Sequence, residues 1–329
     1  LKSTDLEISL QSSYHLKESD MQDMRIFLVS GKRIFDLVKE LDGDIEFTLT
    51  DSQLHLKAGG VKLALNIKDS ENFPPFPERI ENLMHLESQF LLEMLNKVAF
   101  LIPQNNANPA LNGLLLEISK SDFKMTTTDG HCLAQISSPK YALDEAKNWL
   151  LPRRAVFEVK KILESSNDMA VFIGVCGNQL VISGEYFNFF TKLLADKFPV
   201  YNAILDKTAF IPAKVDRSHL VKTLRRSACL LSGQFIATEF HFSPTSLKVT
   251  MQNKEVGKLD EEVPLEFGED KAMDMRFYAP YLLNGLQVFQ NDQVQFSLKN
   301  SSKPIIFESA DDVYHFLYLV MPVAQSHGS

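Results

Sequence analysis

Little in this sequence speaks for covalent chemistry or for a crosslinked scaffold. Its three cysteines, Cys132, Cys176 and Cys229, are odd in number, widely spaced and never in a CxxC pair. That excludes a disulfide framework and a zinc knuckle, and fits reduced thiols in a cytosolic protein. The eight histidines form no HxxxH or HExxH pattern, and Gly31-Lys32 lacks the GxxxxGK frame of a phosphate loop. His131 and Cys132 are neighbours in a strand-like stretch, so their side chains point to opposite faces and cannot share a proton. Asp129 reads as a turn residue ahead of Gly130. No catalytic constellation, metal site or cofactor site follows. There is no run of about 18 apolar residues and no charged segment leading into an apolar one, so the expectation is a soluble, cytoplasmic protein. The net charge of −8 excludes a protein that coats nucleic acid with its whole surface, but not one with a local basic face.

What is present is repetition. The 329 residues, 45% hydrophobic and 23% charged, suffice for two or three globular domains. LVSGKRIFDLVKEL (28–41) lines up with LLPRRAVFEVKKIL (150–163), Ile34 meeting Val156, Phe35 meeting Phe157, Lys39 meeting Lys161 and Leu41 meeting Leu163. A strand-like pair follows each, and each copy closes on Phe-Pro, at Phe73-Pro74 and Phe198-Pro199. YAPYLLNGLQVF (278–289) opens a weaker third copy. The front half also repeats. Phe123 to Thr126 answers Leu247 to Thr250, the helices at 87–102 and 216–231 precede them, and Thr4-Asp5 answers Thr128-Asp129, 124 positions on. The first unit therefore begins part-way through, with about 40 residues and one helix expected to lie outside this sequence.

The spacing predicts three α+β domains, at 1–84, 85–209 and 210–329, each with antiparallel sheet packed against helices. Free sheet edges at the ends of such units allow head-to-tail closure into a ring. The helix of 150–163 starts near Pro152 and puts Val156, Val159, Ile162 and Leu163 on one face, with Arg153, Arg154, Lys160 and Lys161 opposite. Taken alone, such a face is ordinary solvated surface. Repeated on the helices of an acidic protein, it is a candidate for phosphate.

The run Thr128-Asp129-Gly130-His131 with Leu133-Ala134, KFPVYNAIL around Pro199, LNG at 111–113 and the terminal YLVMP at 318–322 together resemble the bacterial DNA polymerase III beta subunit, the replicative sliding clamps. The resemblance covers the whole chain apart from the front of the first domain. It implies a head-to-tail homodimeric ring of six domains, helices inside and sheets outside, encircling double-stranded DNA without reading sequence. Such a ring is a non-catalytic processivity factor, associated with the nucleoid during replication. The cations expected to face phosphate are Lys32, Arg33 and Lys39 in the first domain, Arg153, Arg154, Lys160 and Lys161 in the second, and Lys222, Arg225 and Arg226 in the third. The helix at 278–289 has no Lys or Arg.

The resemblance implies two further sites. A cleft between the second and third domains would take linear motifs of the replicative polymerase, the clamp loader and repair polymerases. By motif it comprises Leu111, Thr128, Gly130, His131, Leu133, Pro199, Ile204, Tyr281, Met321 and Pro322, with Val323 at its rim. Cys132 and Ala203 stand where the family often has Arg, and Ala324-Gln325 with a Ser-His-Gly-Ser tail replaces a short basic and apolar terminus, which predicts a shallower, less basic rim. The ring seam would pair a basic edge bearing Lys57, Lys62, Leu63 and Leu65 with an acidic one bearing Asp260, Glu261 and Glu262, helped by Leu230 and Leu231. The same charges also serve to guard exposed edges against aggregation. The competing reading of the whole chain is a scaffold of this fold that binds peptides and not DNA.

Overall fold

The computed structural model describes residues 1–16, 19, 24–76, 80–233, 235–269 and 271–324. Helices fall on the five amphipathic stretches: α1 (Gly31–Val38), α2 (Ser88–Val98), α3 (Arg153–Ser165), α4 (Arg217–Cys229) and α5 (Ala279–Leu286). α3 starts one residue later than its proline suggests. Pro152 pairs with Gly113 at the end of strand Lys147–Pro152, so the ladder holds it extended and it caps the helix rather than opening it. α4 is capped by Asp216, whose Oδ1 accepts the His219 N–H at 2.7 Å.

The strands form antiparallel sheets, as an α+β chain with short connections requires. The largest sheet runs from Lys147–Pro152 through Cys132–Ser138, crosses to His315–Val320 and continues to Met273–Phe277. A six-stranded sheet joins Ile8–Ser12 to Phe187–Lys192, and a three-stranded sheet spans Glu46–Leu49, Gln53–Ala58 and Val61–Asn66. Two of these pairings are one joint made twice. Ile8–Ser12 adds to Phe187–Lys192, and Cys132–Ser138, 124 positions after Ile8, adds to His315–Val320. In each case a strand from the middle of one repeat extends the last strand of the next.

The turn ahead of each joint repeats atom for atom. Thr128 Oγ1 donates to Cys132 O at 2.5 Å and accepts from Gly130 N, while Asp129 Oδ1 accepts from His131 N and Cys132 N. Thr4 Oγ1 donates to Ile8 O at 3.1 Å and accepts from Leu6 N, while Asp5 Oδ1 accepts from Glu7 N and Ile8 N. The left-handed position is Gly130 (φ 95°) in one copy and Leu6 (φ 77°) in the other. The repeat read from letters is therefore a repeat of hydrogen bonds.

The main core lies between α2 to α5 and the sheets, and it takes Ala155, Val156, Val159 and Leu163 from α3. Strand His315–Val320 is buried on both faces. Phe316, Tyr318 and Val320 enter the main core, whereas Leu317 and Leu319 join Leu133 and Ile306 in a second cluster on the far side. α1 buries none of its residues, and Phe35 is 67% exposed.

Candidate interaction sites

The second cluster lies where the resemblance implies the cleft, at the joint of the second and third repeats. Partly buried Tyr201, Ile204, Leu205, Phe210 and Met321 stand around Leu133, Ile306, Leu317 and Leu319. The wall carrying Thr128, Gly130 and His131 is fixed to the C-terminal strand because Met321 N donates to His131 O at 2.9 Å. Leu111 lies under Gly130, its Cδ1 3.8 Å from where a Cβ would stand. The His131 ring stacks on Tyr281, with centroids 5.5 Å apart. Pro199 is exposed, and Pro322 and Val323 are half-buried beside Met321. Mostly apolar walls with a few backbone groups and an adaptable methionine suit an extended peptide.

Two features of the cleft escape a reading by motif. The rings of His131, Tyr281, Tyr278 and Phe235 form one contiguous run, with successive centroids 5.5, 5.0 and 4.6 Å apart, and Phe235 is 61% exposed. They come from three separate segments, so only the fold assembles them. The second is Tyr201, whose hydroxyl donates to Glu117 Oε2 at 2.5 Å and accepts from Thr126 Oγ1 at 3.4 Å. Burial, then the Glu117 hydrogen bond, push its phenol above the ordinary range. This contact ties the loop bearing Pro199 and Ile204 to the sheet. Tyr201→Phe removes the donor and is predicted to weaken binding of a cleft peptide about fivefold to tenfold with the fold intact. Unchanged affinity in isothermal titration would show that this hydrogen bond does not set the loop.

Cys132 corrects the expectation of a rim residue. It is 1% exposed and points into the main core, on the opposite face from Leu133. Burial drives its thiol well above its usual range, and Tyr318 lies beside it. Strand alternation sends it inward, so it cannot change rim charge. Ala203 and Ala324 are exposed, while Gln325 and the tail after it lie outside the described residues.

The predicted cations are not equally available. Lys32, Arg33, Arg154, Lys161, Lys222 and Arg225 are exposed. Lys160 lies 5.7 Å over the Phe157 ring. Arg153 is largely structural: its guanidinium stacks 4.4 Å over Phe157 and its Nε donates to Ile102 O at 3.2 Å. Arg154 pairs with Asp5 across the joint of the first two repeats, Lys161 with Glu158 at 2.9 Å, and Lys39 with Asp36 at 3.8 Å. These exposed pairs are weak and exchange readily for phosphate.

Arg226 is different, because its guanidinium binds Glu261, which also accepts from Thr223 Oγ1 at 2.9 Å. The Arg226 contact holds the Glu261 carboxyl below the usual range. Neither residue is therefore free for the role read from sequence, Arg226 for phosphate and Glu261 for the seam edge. Alternation along Gly257–Phe267 explains it: Leu259, Glu261 and Val263 turn inward toward α4, and Asp260 and Glu262 turn outward. Asp260 pairs with Lys248 at 3.2 Å, and Lys57 with Glu46 at 3.1 Å. Leu231 is 7% exposed, a core residue here, while Leu230 is half-buried. Lys62 is exposed on Val61–Asn66, and Leu63 and Leu65 are half-buried beside it. Among the described residues, Val61–Asn66 pairs on one side only, with Gln53–Ala58. The segment 257–264 likewise pairs on one side only, with Ser246–Asn253.

The joint between the second and third repeats carries its own ion cluster. Glu308 accepts from Lys207 Nζ at 2.8 Å and lies 3.2 Å from His315 Nε2. His315 foremost, with Lys207 behind it, holds this carboxyl below its ordinary value despite burial. A depressed carboxylate stabilises the fold above its unfolded pKa, and the contribution is lost as pH falls through the folded one. Glu308→Gln is thus predicted to lower the unfolding temperature at neutral pH, with the gap from wild type closing in acid. A gap independent of pH would show that charge is not the cause.

Among the described residues, no group of three His, Cys, Asp or Glu is placed to hold a metal, and no helix is long and apolar enough to cross a membrane.

Family models described as the DNA polymerase III beta subunit, central domain, and the DNA polymerase III beta subunit, C-terminal domain, match residues 85–200 and 204–324. The beta sliding clamp of Pseudomonas putida is 27% identical over 329 residues, covering 98% of this chain and 88% of the relative. The crystal structure of the DNA polymerase III subunit beta from Pseudomonas aeruginosa superimposes with a TM-score of 0.89 at 26% identity, covering 98% of this chain and 89% of that one. A sliding clamp from the same organism bound to griselimycin gives 0.89 at 26% identity, covering 98% and 87%.

Proposed function

Because the chain belongs to the DNA polymerase III beta subunit family, we propose that it works as a sliding clamp, a processivity factor that encircles duplex DNA and tethers polymerase to it. The observation that carries the reading is the joint made twice. Ile8–Ser12 on Phe187–Lys192 and Cys132–Ser138 on His315–Val320 leave, among the described residues, one matching pair of edges, 257–264 and 61–66. A third joint of the same kind between two copies, made at both ends, closes a ring of six units. The units are those of 1–84, 85–209 and 210–329. Lys62, Leu63 and Leu65 would meet Asp260, Glu262 and Leu230 there, with Glu261 bracing the edge from behind through Arg226.

In this ring α1, α3 and α4 turn their cations to phosphate, chiefly Lys32, Arg33, Arg154, Lys160, Lys161, Lys222 and Arg225. Such contacts are sequence-blind and weakened by salt, as sliding requires. The cleft around Leu133, His131 and Met321 takes linear motifs of polymerase, clamp loader and repair polymerases. No chemistry is asked of the chain, which works in the cytoplasm at the nucleoid. Primer extension on a singly primed circular template tests the reading. Adding the protein with its loader should turn short products into full-length ones at limiting polymerase, and unchanged product length would overturn it.

A further inference from the structure

The repeat that unites the chain also exposes a difference between its second and third units. In the second, the outer face of the sheet is covered by Tyr201, seated between Glu117 and Thr126. The positions 124 further on are His241 and Thr250, and they occupy the same register, Glu117 opposite Lys124 and His241 opposite Lys248. Among the described residues, no aromatic side chain is seated here. Instead there is an open groove of about 420 Å3, lined by Glu239, His241, Thr250, Asp274, Arg276 and Val323. Its size is in the range of ligand sites.

The groove retains the hydrogen-bonding arrangement of the filled seat. Thr250 Oγ1 points to Glu239 Oε2 at 3.4 Å, so a hydroxyl and a carboxylate again face one another, with the acid moved two residues along the strand. Asp274 is engaged by His241 at 2.6 Å, which leaves Glu239 as the acceptor. Arg276 Nε is shielded from solvent, makes no hydrogen bond and lies 4.0 Å from Glu239 Oε1. Buried donors of this kind are costly unless a partner arrives. A phenol can meet two of these needs at once, donating to Glu239 and accepting from Thr250 or Arg276. A plain hydrocarbon meets none. The groove also adjoins the cleft, because Val323, on its wall, follows Met321 and Pro322 directly and donates its N–H to Arg276 O at 2.7 Å.

We infer that this groove is an accessory subsite of the cleft, which takes a tyrosine side chain from a partner segment running on past Met321–Val323. The inference rests on the cleft's being a peptide site. A cleft-binding peptide and versions extended at either end by a short glycine spacer and Tyr, Phe or Ala would be titrated by isothermal calorimetry against the full chain. Tyr-extended peptide at one end should bind about fivefold to tenfold more tightly than its Ala counterpart, the value of one well-made hydrogen bond. The gain should vanish in Glu239→Gln/Thr250→Val, which leaves the unextended peptide's affinity unchanged. Equal binding of Tyr and Ala versions, or of Tyr and Phe versions, overturns the subsite while leaving the cleft intact.

If the unextended peptide fails to bind, the cleft reading falls, and p-cresol decides the groove alone. Its addition should shift the Arg276 Nε–Hε resonance in the wild type and not in Glu239→Gln/Thr250→Val, and absence of that shift overturns the subsite. A shift seen only after removal of residues 325–329 assigns the groove to the chain's own C-terminal segment and likewise overturns it.

Discussion

Lys160→Glu/Lys161→Glu should lower affinity for duplex DNA by about two orders of magnitude at low salt and flatten the dependence of log K on log salt by about two. Both residues sit on the outward side of α3, whose opposite face is fixed in the core by Val156, Val159 and Leu163. The helix cannot rotate to hide the new charges. Lys160 leaves a cation–π contact and Lys161 an exposed pair with Glu158, each worth at most about 1 kcal/mol, so stability should hardly change. Arg153 is the contrasting position. Its bond to Ile102 O and its stack on Phe157 make Arg153→Glu a folding lesion as well as a charge change. An unaltered salt slope in the Lys double variant, measured by fluorescence anisotropy, would favour the peptide-only scaffold.

Gly285→Ala should destabilise the fold by about 3 kcal/mol, although alanine is the better helix former. A Cβ on Gly285 would stand 2.0 Å from Tyr318 Cδ1 and Cε1, and Tyr318 is fully buried. The ring cannot retreat easily, because its hydroxyl donates to Tyr281 O at 2.7 Å and its strand is buried on both faces. The disturbance should travel, since Tyr281 stacks on His131 and the strand leads into Met321. Peptide affinity should therefore fall together with stability. Tyr318→Leu should cost about 2–4 kcal/mol alone, and Tyr318→Leu/Gly285→Ala less than the sum of the two. Strict additivity in a denaturation cycle would show that the two residues do not share one space.

Much of the fold is legible in the letters because it is periodic. α3 and α1 align residue by residue, and Thr-Asp at 4–5 and 128–129 marks one turn that folds the same way with leucine or glycine at the left-handed position. The sites were harder to read. Motifs locate His131 and Met321, whereas which way a neighbour points depends on strand register. Hence Cys132 reads as a rim residue and lies in the core. Arg226 and Glu261 are individually a plausible phosphate ligand and a plausible edge acid. Only the packing of α4 on Gly257–Phe267 shows that each occupies the other. Tyr201 and the ring run from His131 to Phe235 join segments far apart in sequence, and no local pattern announces them.

The central claim is topological: the protein holds DNA by surrounding it. The most direct measurement is retention of the loaded protein on nicked circular duplex during gel filtration at raised salt, before and after the circle is cut once. If DNA is surrounded, the protein stays with the circle and is released by linearisation. Equal retention on circle and linear DNA, or loss from both, would contradict it.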